Sequence, residues 1–261
     1  MPRQSLVAAV LILGPAITAL VCADLHPEAK EVAEQEPPVA RAAECRWNNG
    51  RIKIDGKLDE VAWDNAQVIK DFAVFWQRRQ PKTATKTRLL WDNRYLYFAA
   101  EMEDSDLYAD IKAHNGMIWN NDVIELFLKP SESKLSYYEF QVNPANTNLE
   151  LFFPSRGSGG YQRHAPLSQL GIESAVVLNG TLNDWRDKDT GWTVEGRIPL
   201  TAFETSGDKP QAGSKWRFAF CRYDYSVAFD HVETSSTAPL TRPDFHHYEE
   251  YGELTFSGPK E

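Results

Sequence analysis

Three strand-like segments carry carboxylates and amides at every second position. In Tyr137-Tyr138-Glu139-Phe140-Gln141-Val142-Asn143, the set Glu139, Gln141 and Asn143 lies on one side and Tyr138, Phe140 and Val142 on the other, because side chains alternate across a strand. In Val123–Leu128, Glu125 stands between Val123 and Phe127, opposite the stripe Ile124, Leu126 and Leu128. In Asn148–Phe153, Glu150 alternates with Leu149, Leu151 and Phe153. Carboxylates and amides on adjoining strands can bond paired hydroxyls, and aromatic faces can cover the apolar C–H surface of a sugar ring. The same alternation also describes the solvated outer face of an ordinary antiparallel sheet, and Glu125 would equally serve as the partner of Arg217 or Arg222. Two of Glu125, Glu139 and Glu150 could also act as a hydrolytic pair, which needs carboxyls about 5–10 Å apart. No neighbouring group that would make one of them an acid is identifiable, so a glycoside hydrolase is the alternative to a non-catalytic binding protein.

The elements that must position these residues read as strands. Short runs rich in aromatic and β-branched residues cover Val68–Trp76, Thr85–Trp91, Tyr95–Glu103, Val123–Leu128, Tyr137–Asn143, Asn148–Phe153, Ile172–Leu178, Trp192–Ile198, Lys215–Tyr225 and Tyr251–Phe256, separated by Gly, Pro, Asn and Asp. Asp92-Asn93-Arg94 suits a hairpin turn. Leu58 to Trp63 has helical spacing and predicts one short helix near the start. Strands without long intervening helices predict an all-β fold, an antiparallel β-sandwich of jelly-roll or immunoglobulin-like type.

The chain has 261 residues with 28 Lys+Arg against 37 Asp+Glu, a formal net charge of −9. That balance argues against a nucleic-acid partner, which requires a clustered excess of cations. Arg3, the apolar stretch Leu6–Val21 and the small residues up to Ala23 predict a secretory signal peptide over residues 1–23, hence a secreted or periplasmic protein. A lipoprotein anchored through Cys22 is the weaker reading, because Val21 sits where a lipobox wants a small residue. Residues 24–44 are rich in Ala, Glu and Pro and read as a tether, leaving residues 45–258 as one domain. Cys45 and Cys221 would be the remaining thiols, either bonded or buried free.

The order of segments resembles the carbohydrate-binding modules of family 9. The resemblance begins at Ile54-Asp55-Gly56-Lys57-Leu58-Asp59-Glu60 with Trp63, and continues through Leu90-Trp91-Asp92-Asn93-Arg94-Tyr95-Leu96-Tyr97. It then runs through Trp119-Asn120-Asn121-Asp122-Val123-Ile124-Glu125 and Tyr138-Glu139-Phe140-Gln141-Val142-Asn143 to Gly191-Trp192-Thr193-Val194-Glu195 and Tyr251-Gly252-Glu253-Leu254. It implies a sandwich that binds glucose- or xylose-type sugars or polysaccharide chain ends between two stacked tryptophans. Trp119 matches the first of these, Glu125 a hydroxyl acceptor, and Gln141 and Asn143 further polar contacts, with Glu139 on the same face. The sequence departs at the second tryptophan, whose place falls near Phe245, a ring with less stacking area. The other tryptophans in the matching motifs, Trp63, Trp91 and Trp192, read as core. The resemblance further implies structural calcium in some members, for which the sequence singles out no ligands, and no other cofactor. Related sandwiches hold haem through Met and His, for which Met102, Met117, His114 and His164 would be the candidates. The implied partners are mono-, oligo- or polysaccharides, with any glycoside hydrolase a separate protein.

Overall fold

The computed structural model describes residues 42–259. The expected leader, Cys22 and the tether up to residue 41 lie outside the described residues. The last three tether positions do not: Ala42 already begins β1 (Ala42–Trp47). Ten further strands follow: β2 (Thr85–Trp91), β3 (Tyr95–Met102), β4 (Val123–Lys129), β5 (Tyr137–Val142), β6 (Asn148–Phe153), β7 (Glu173–Asn179), β8 (Gly191–Pro199), β9 (Lys215–Asp224), β10 (Glu233–Ser236) and β11 (Gly252–Phe256).

The strand order is β6-β5-β4-β9-β11-β1-β2-β3-β8-β7, with β10 pairing the far end of β9 along the edge that β11 uses at its start. β1 joins the two halves. Its residues Ala42 to Cys45 run parallel to β11, and Arg46 and Trp47 run parallel to β2. These two parallel ladders depart from the expected antiparallel pairing; the other ladders keep it. The inward side chains of both halves meet in one core: Leu126, Phe140, Phe218 and Phe220 from one, Leu89, Phe98, Trp192 and Val194 from the other. The result is a sandwich-like all-β fold.

Val68–Trp76 is not a strand. Ile69 pairs singly with Thr87 in one half and Ala73 singly with Ser236 in the other, so the segment crosses between edges while Ile69 and Phe72 fill the core. Its apolar run reflects burial without a ladder. The early helix is a 3-10 helix at Val61–Asn65, and the α-helical turn among the described residues is α1 (Tyr161–His164). The Asp92 hairpin forms as expected, its Oδ1 accepting from the N–H groups of Arg94 at 2.7 Å and Tyr95 at 2.8 Å.

The opening motif has a structural purpose. Glu195 on β8 is buried beneath it and accepts from Trp63 Nε1 at 2.7 Å and from the Asp55 backbone N–H at 3.0 Å. Gly56 holds φ at 82°, and a Cβ there would press on the backbone of Ala175 and Val176. Burial raises the Glu195 carboxyl from its ordinary 4.5 to about 7. A raised carboxyl binds its proton more tightly folded than unfolded, so it favours folding below the ordinary value and loses that contribution as pH climbs through about 7. Melting temperature should therefore fall between mildly acidic and neutral pH, and Glu195→Gln should flatten that slope. An unchanged slope in calorimetry across this window would remove Glu195 from the account.

Cys45 lies in the core between the halves, whereas Cys221 faces the outer side of β9 among a second apolar cluster. Both are buried free thiols. Their placement on opposite faces of the sheet explains why no disulfide joins them.

Candidate functional site

The outer face of β9-β4-β5-β6 is roofed by two stretches of turns and short helices, residues 154–170 and 237–251, which pack Ala165, Phe245, Tyr248 and Tyr251 onto Phe127, Tyr137, Leu151 and Phe153. The roof is incomplete. Between it and the strands lies a cleft of about 480 Å³ whose lining includes Trp119, Glu125, Glu139, Gln141 and Phe245. Five of the six residues singled out from the sequence thus come together, from segments more than a hundred residues apart.

The floor follows from strand register. Glu125 on β4 stands directly opposite Gln141 on β5, and Glu139 is the next same-face residue on β5. Gln141 Nε2 donates to Glu125 Oε1 at 2.6 Å and to Glu139 Oε1 at 2.5 Å. Both acids are nearly inaccessible, at 2% and 4% exposure. Burial pushes the Glu125 carboxyl well up, and the neighbouring Glu139 charge adds to it. Burial also raises Glu139, while His246 and the Gln141 amide pull it partly back. Among the described residues neither acid pairs with an arginine: Arg217 bonds Glu132, and Arg222 points to the opposite side of β9.

The walls are aromatic. Trp119 sits on the 3-10 helix Ile118–Asn120, half-buried, with the ring of Tyr161 edge-on at 5.0 Å. Its carbonyl accepts from Tyr225 Oη at 3.0 Å. Tyr137, Tyr161, Tyr223 and His246 also line the cleft, as does Arg156 at its rim. Sequence reasoning missed these. Tyr137 and Tyr223 fell within recognised strands and carried the same alternation as the acids, whereas Arg156, Tyr161 and His246 sit on roof segments with no strand periodicity.

Phe245 departs from the expected stacking partner. It lines the cleft, but at 7% exposure its ring is wedged among Phe127, Tyr223 and Trp76, at centroid distances of 6.5, 5.3 and 6.2 Å. The most exposed indole belongs to Trp185, 64% accessible on a loop away from the cleft lining.

Asn143 does not reach the cleft. Its Nδ2 donates to Ile111 O at 2.9 Å and Asn121 Oδ1 at 3.2 Å, and its Oδ1 accepts from Thr147 N–H at 2.8 Å. Asn121 directly follows the short helix that carries Trp119. Asn143 is thereby a positioning residue for the Trp119 loop, because every one of its polar atoms is spent on protein partners.

Beside that loop lies a buried acidic cluster. Asp104, Asp122 and Asp224 offer carboxylate oxygens within 4.8 Å of one another. Arg222 Nη2 lies 3.2 Å from both Asp104 and Asp224. Asp122 accepts from the Tyr108 and Tyr225 backbone N–H groups at 2.6 and 2.7 Å, which ties the cluster to the Tyr225 that supports Trp119. Asp224 Oδ1 has no hydrogen-bond partner. Three carboxylates against one guanidinium, with an oxygen left over, suit a hard divalent cation such as calcium. Asp55, Glu60 and Glu195 also approach one another, but the oxygens of Glu195 are occupied by Trp63 and Asp55. The residues considered for haem do not converge. Met102 is in the inter-sheet core, His164 packs on Phe153 on the outer face, and Met117 and His114 are exposed.

Comparison with known proteins gives a family and a fold. A sequence profile described as "Carbohydrate family 9 binding domain-like" matches residues 54–258. Among characterised relatives, endo-1,4-beta-xylanase A of Thermotoga maritima is 31% identical over 152 residues, 56% of this chain and 13% of that enzyme. Exoglucanase XynX of Acetivibrio thermocellus is 29% identical over 146 residues, 51% of this chain and 13% of that protein. The match thus spans about an eighth of these relatives' length. Among solved structures, a family 9 carbohydrate-binding module from Caldicellulosiruptor kristjanssonii in complex with cellotriose superposes with a TM-score of 0.56 at 20% identity, covering 84% of this chain and 95% of that one. The complex of a family 9 module from the same organism with glucose gives 0.56 at 21% identity, covering 84% and 97%.

Proposed function

Because the chain belongs to the carbohydrate family 9 binding domain-like family, matched over residues 54–258, we propose that it is a non-catalytic binder of glucose- or xylose-type sugars or polysaccharide chain ends. The observation that carries this reading is the cleft itself: a hydrogen-bonding floor of Glu125, Glu139 and Gln141 beneath aromatic walls that include Trp119 and Tyr161. Polar groups meet hydroxyls and ring faces meet C–H surface, the division of labour a pyranose requires. A hydrolase would set its two carboxyls on either side of a glycosidic bond. Glu125 and Glu139 instead share one amide on a common floor, which favours binding.

The architecture is read as the jelly-roll or immunoglobulin-like class of sandwich, with β1 as the strand that passes between its layers. Asp104, Asp122 and Asp224 would hold a structural calcium ion, whose positive charge would offset the buried carboxylates and stiffen the Trp119 loop. The apolar stretch before Ala23 supports export to the periplasm or the medium, where the protein would work beside separate glycoside hydrolases.

Titration calorimetry with glucose, cellobiose and xylobiose, each beside its reduced form, tests the reading. At roughly 0.3 kcal/mol per heavy atom for a ligand of this size, dissociation constants of about 10 μM to 1 mM are expected. Reduction should weaken binding if a cyclic chain end occupies the cleft. Absence of binding across the whole set would overturn the assignment.

A further inference from the structure

The floor of the cleft is unbalanced. Two buried acids face it, and the basic groups lining it among the described residues are those of His246 and Arg156. Arg156 is at the rim and is held by both oxygens of Glu249, at 2.6 and 2.7 Å. His246 Nδ1 lies 2.9 Å from Tyr137 Oη. Among the described residues no guanidinium or ammonium pairs with Glu125 or Glu139, whose hydrogen-bond partner is the neutral amide of Gln141.

The amide donors of the floor are committed as well. Both protons of the Gln141 amide go to the two carboxylates. The other end of that amide, Gln141 Oε1, has no partner although the residue is only 1% exposed and lines the cleft. A buried acceptor left unmade is costly. The amide oxygen and the carboxyl oxygens it leaves free are acceptors, and burial raises both carboxyls, so a bound cation would favour their ionised forms. A neutral hydroxyl brings one donor and also lone pairs that need donors of their own. An ammonium brings three donors, no acceptor, and a positive charge. The ring faces of Trp119, Tyr161 and Tyr223 add a surface that attracts cations.

We infer that the cleft selects a glucose-type sugar carrying a protonated amino group in place of a hydroxyl, its ammonium bonded to Glu125, Glu139 and Gln141 Oε1. The three N–H groups match three acceptors, and the ligand charge replaces the missing counter-ion. This inference rests on the sugar-binding reading and names the class of sugar.

Its test is calorimetry on the whole chain near neutral pH with D-glucosamine, N-acetyl-D-glucosamine and D-glucose. Hydrogen bonds to a charged group exceed neutral ones enough to give glucosamine an advantage of about tenfold or more. Glu139→Gln should reduce that advantage to within about threefold, since one charged acceptor of the pair is gone. A circular-dichroism melt checks that the variant is folded, and the wild-type comparison decides the matter even if it is not. Glucose binding as tightly as glucosamine would overturn the inference and leave the sugar-binding reading standing. If none of these sugars nor cellobiose binds, both fall.

Discussion

Trp119→Ala should weaken cellobiose binding about 30-fold or more while leaving the melting temperature within a degree or two. Truncating a buried aromatic anchor in a binding site costs about 2 kcal/mol or more, which converts to that factor. The fold should tolerate the change, because the Trp119 ring is half-buried and meets the ring of Tyr161 edge-on, while its backbone carbonyl still accepts from Tyr225. Trp185→Ala is the informative control. Trp185 is 64% exposed, so any general affinity of sugars for indole would lower binding in that variant too. Unchanged affinity in Trp185→Ala with lost affinity in Trp119→Ala assigns the effect to the cleft. Equal affinities in Trp119→Ala and the wild type would show that Trp119 makes no energetic contact. Phe245→Ala should behave differently, losing stability along with affinity, because its ring fills the space between Phe127, Tyr223 and Trp76.

Arg222→Ala should destabilise the protein by about 3–5 kcal/mol, since removing one member of a buried ionic group strands the others. In a domain of this size that lowers the melting temperature by about 10 °C. The guanidinium also donates to Thr85 Oγ1 at 3.0 Å and Glu103 O at 2.7 Å, so the loss includes hydrogen bonds that join β9 to the end of the β2–β3 pair where Thr85 faces Met102. Millimolar calcium should recover part of the deficit by supplying charge to Asp104, Asp122 and Asp224, and Asp224→Asn should abolish that recovery. A calcium-independent melt in both variants would leave the cluster without a cation.

Alternation made most of this legible. β2 and β6 stand where the residue pattern put them, and β3, β4, β5, β7, β8, β9 and β11 differ by a residue or two at their ends, because one face of each had to be apolar and a slip would have reversed it. The same rule placed Glu125, Glu139 and Gln141 on one face before any neighbour was known. It did not stop at the right residue: Asn143 continues the alternation in sequence but falls just past β5, where the chain turns and the amide is used up holding the Trp119 loop. β1 and β10 were missed since Ala42-Ala43-Glu44 and Glu233-Thr234-Ser235-Ser236 lack apolar alternation. They are strands because edges of β11 and β9 were available to pair with them. Val68–Trp76 failed in the opposite sense, apolar enough for a strand but with no continuous edge to join. The imbalance of the cleft floor was invisible to pattern, because it depends on which proton meets which oxygen.

The parallel alignment of β1 with β11 also decides how the domain bears mechanical load. Ala42 pairs with Glu253 and Cys45 with Phe256, so the strand that enters and the strand that leaves lie side by side pointing the same way. Tension applied at Ala42 and at Phe256 pulls these neighbours in opposite directions along their length. All the bonds of that ladder then resist together in shear, where a hairpin pulled from its open end would unzip one bond at a time. A protein anchored upstream of Ala42 and loaded by a polymer dragging on the cleft would thus meet the pull with β1 gripping β11 and β2 at once.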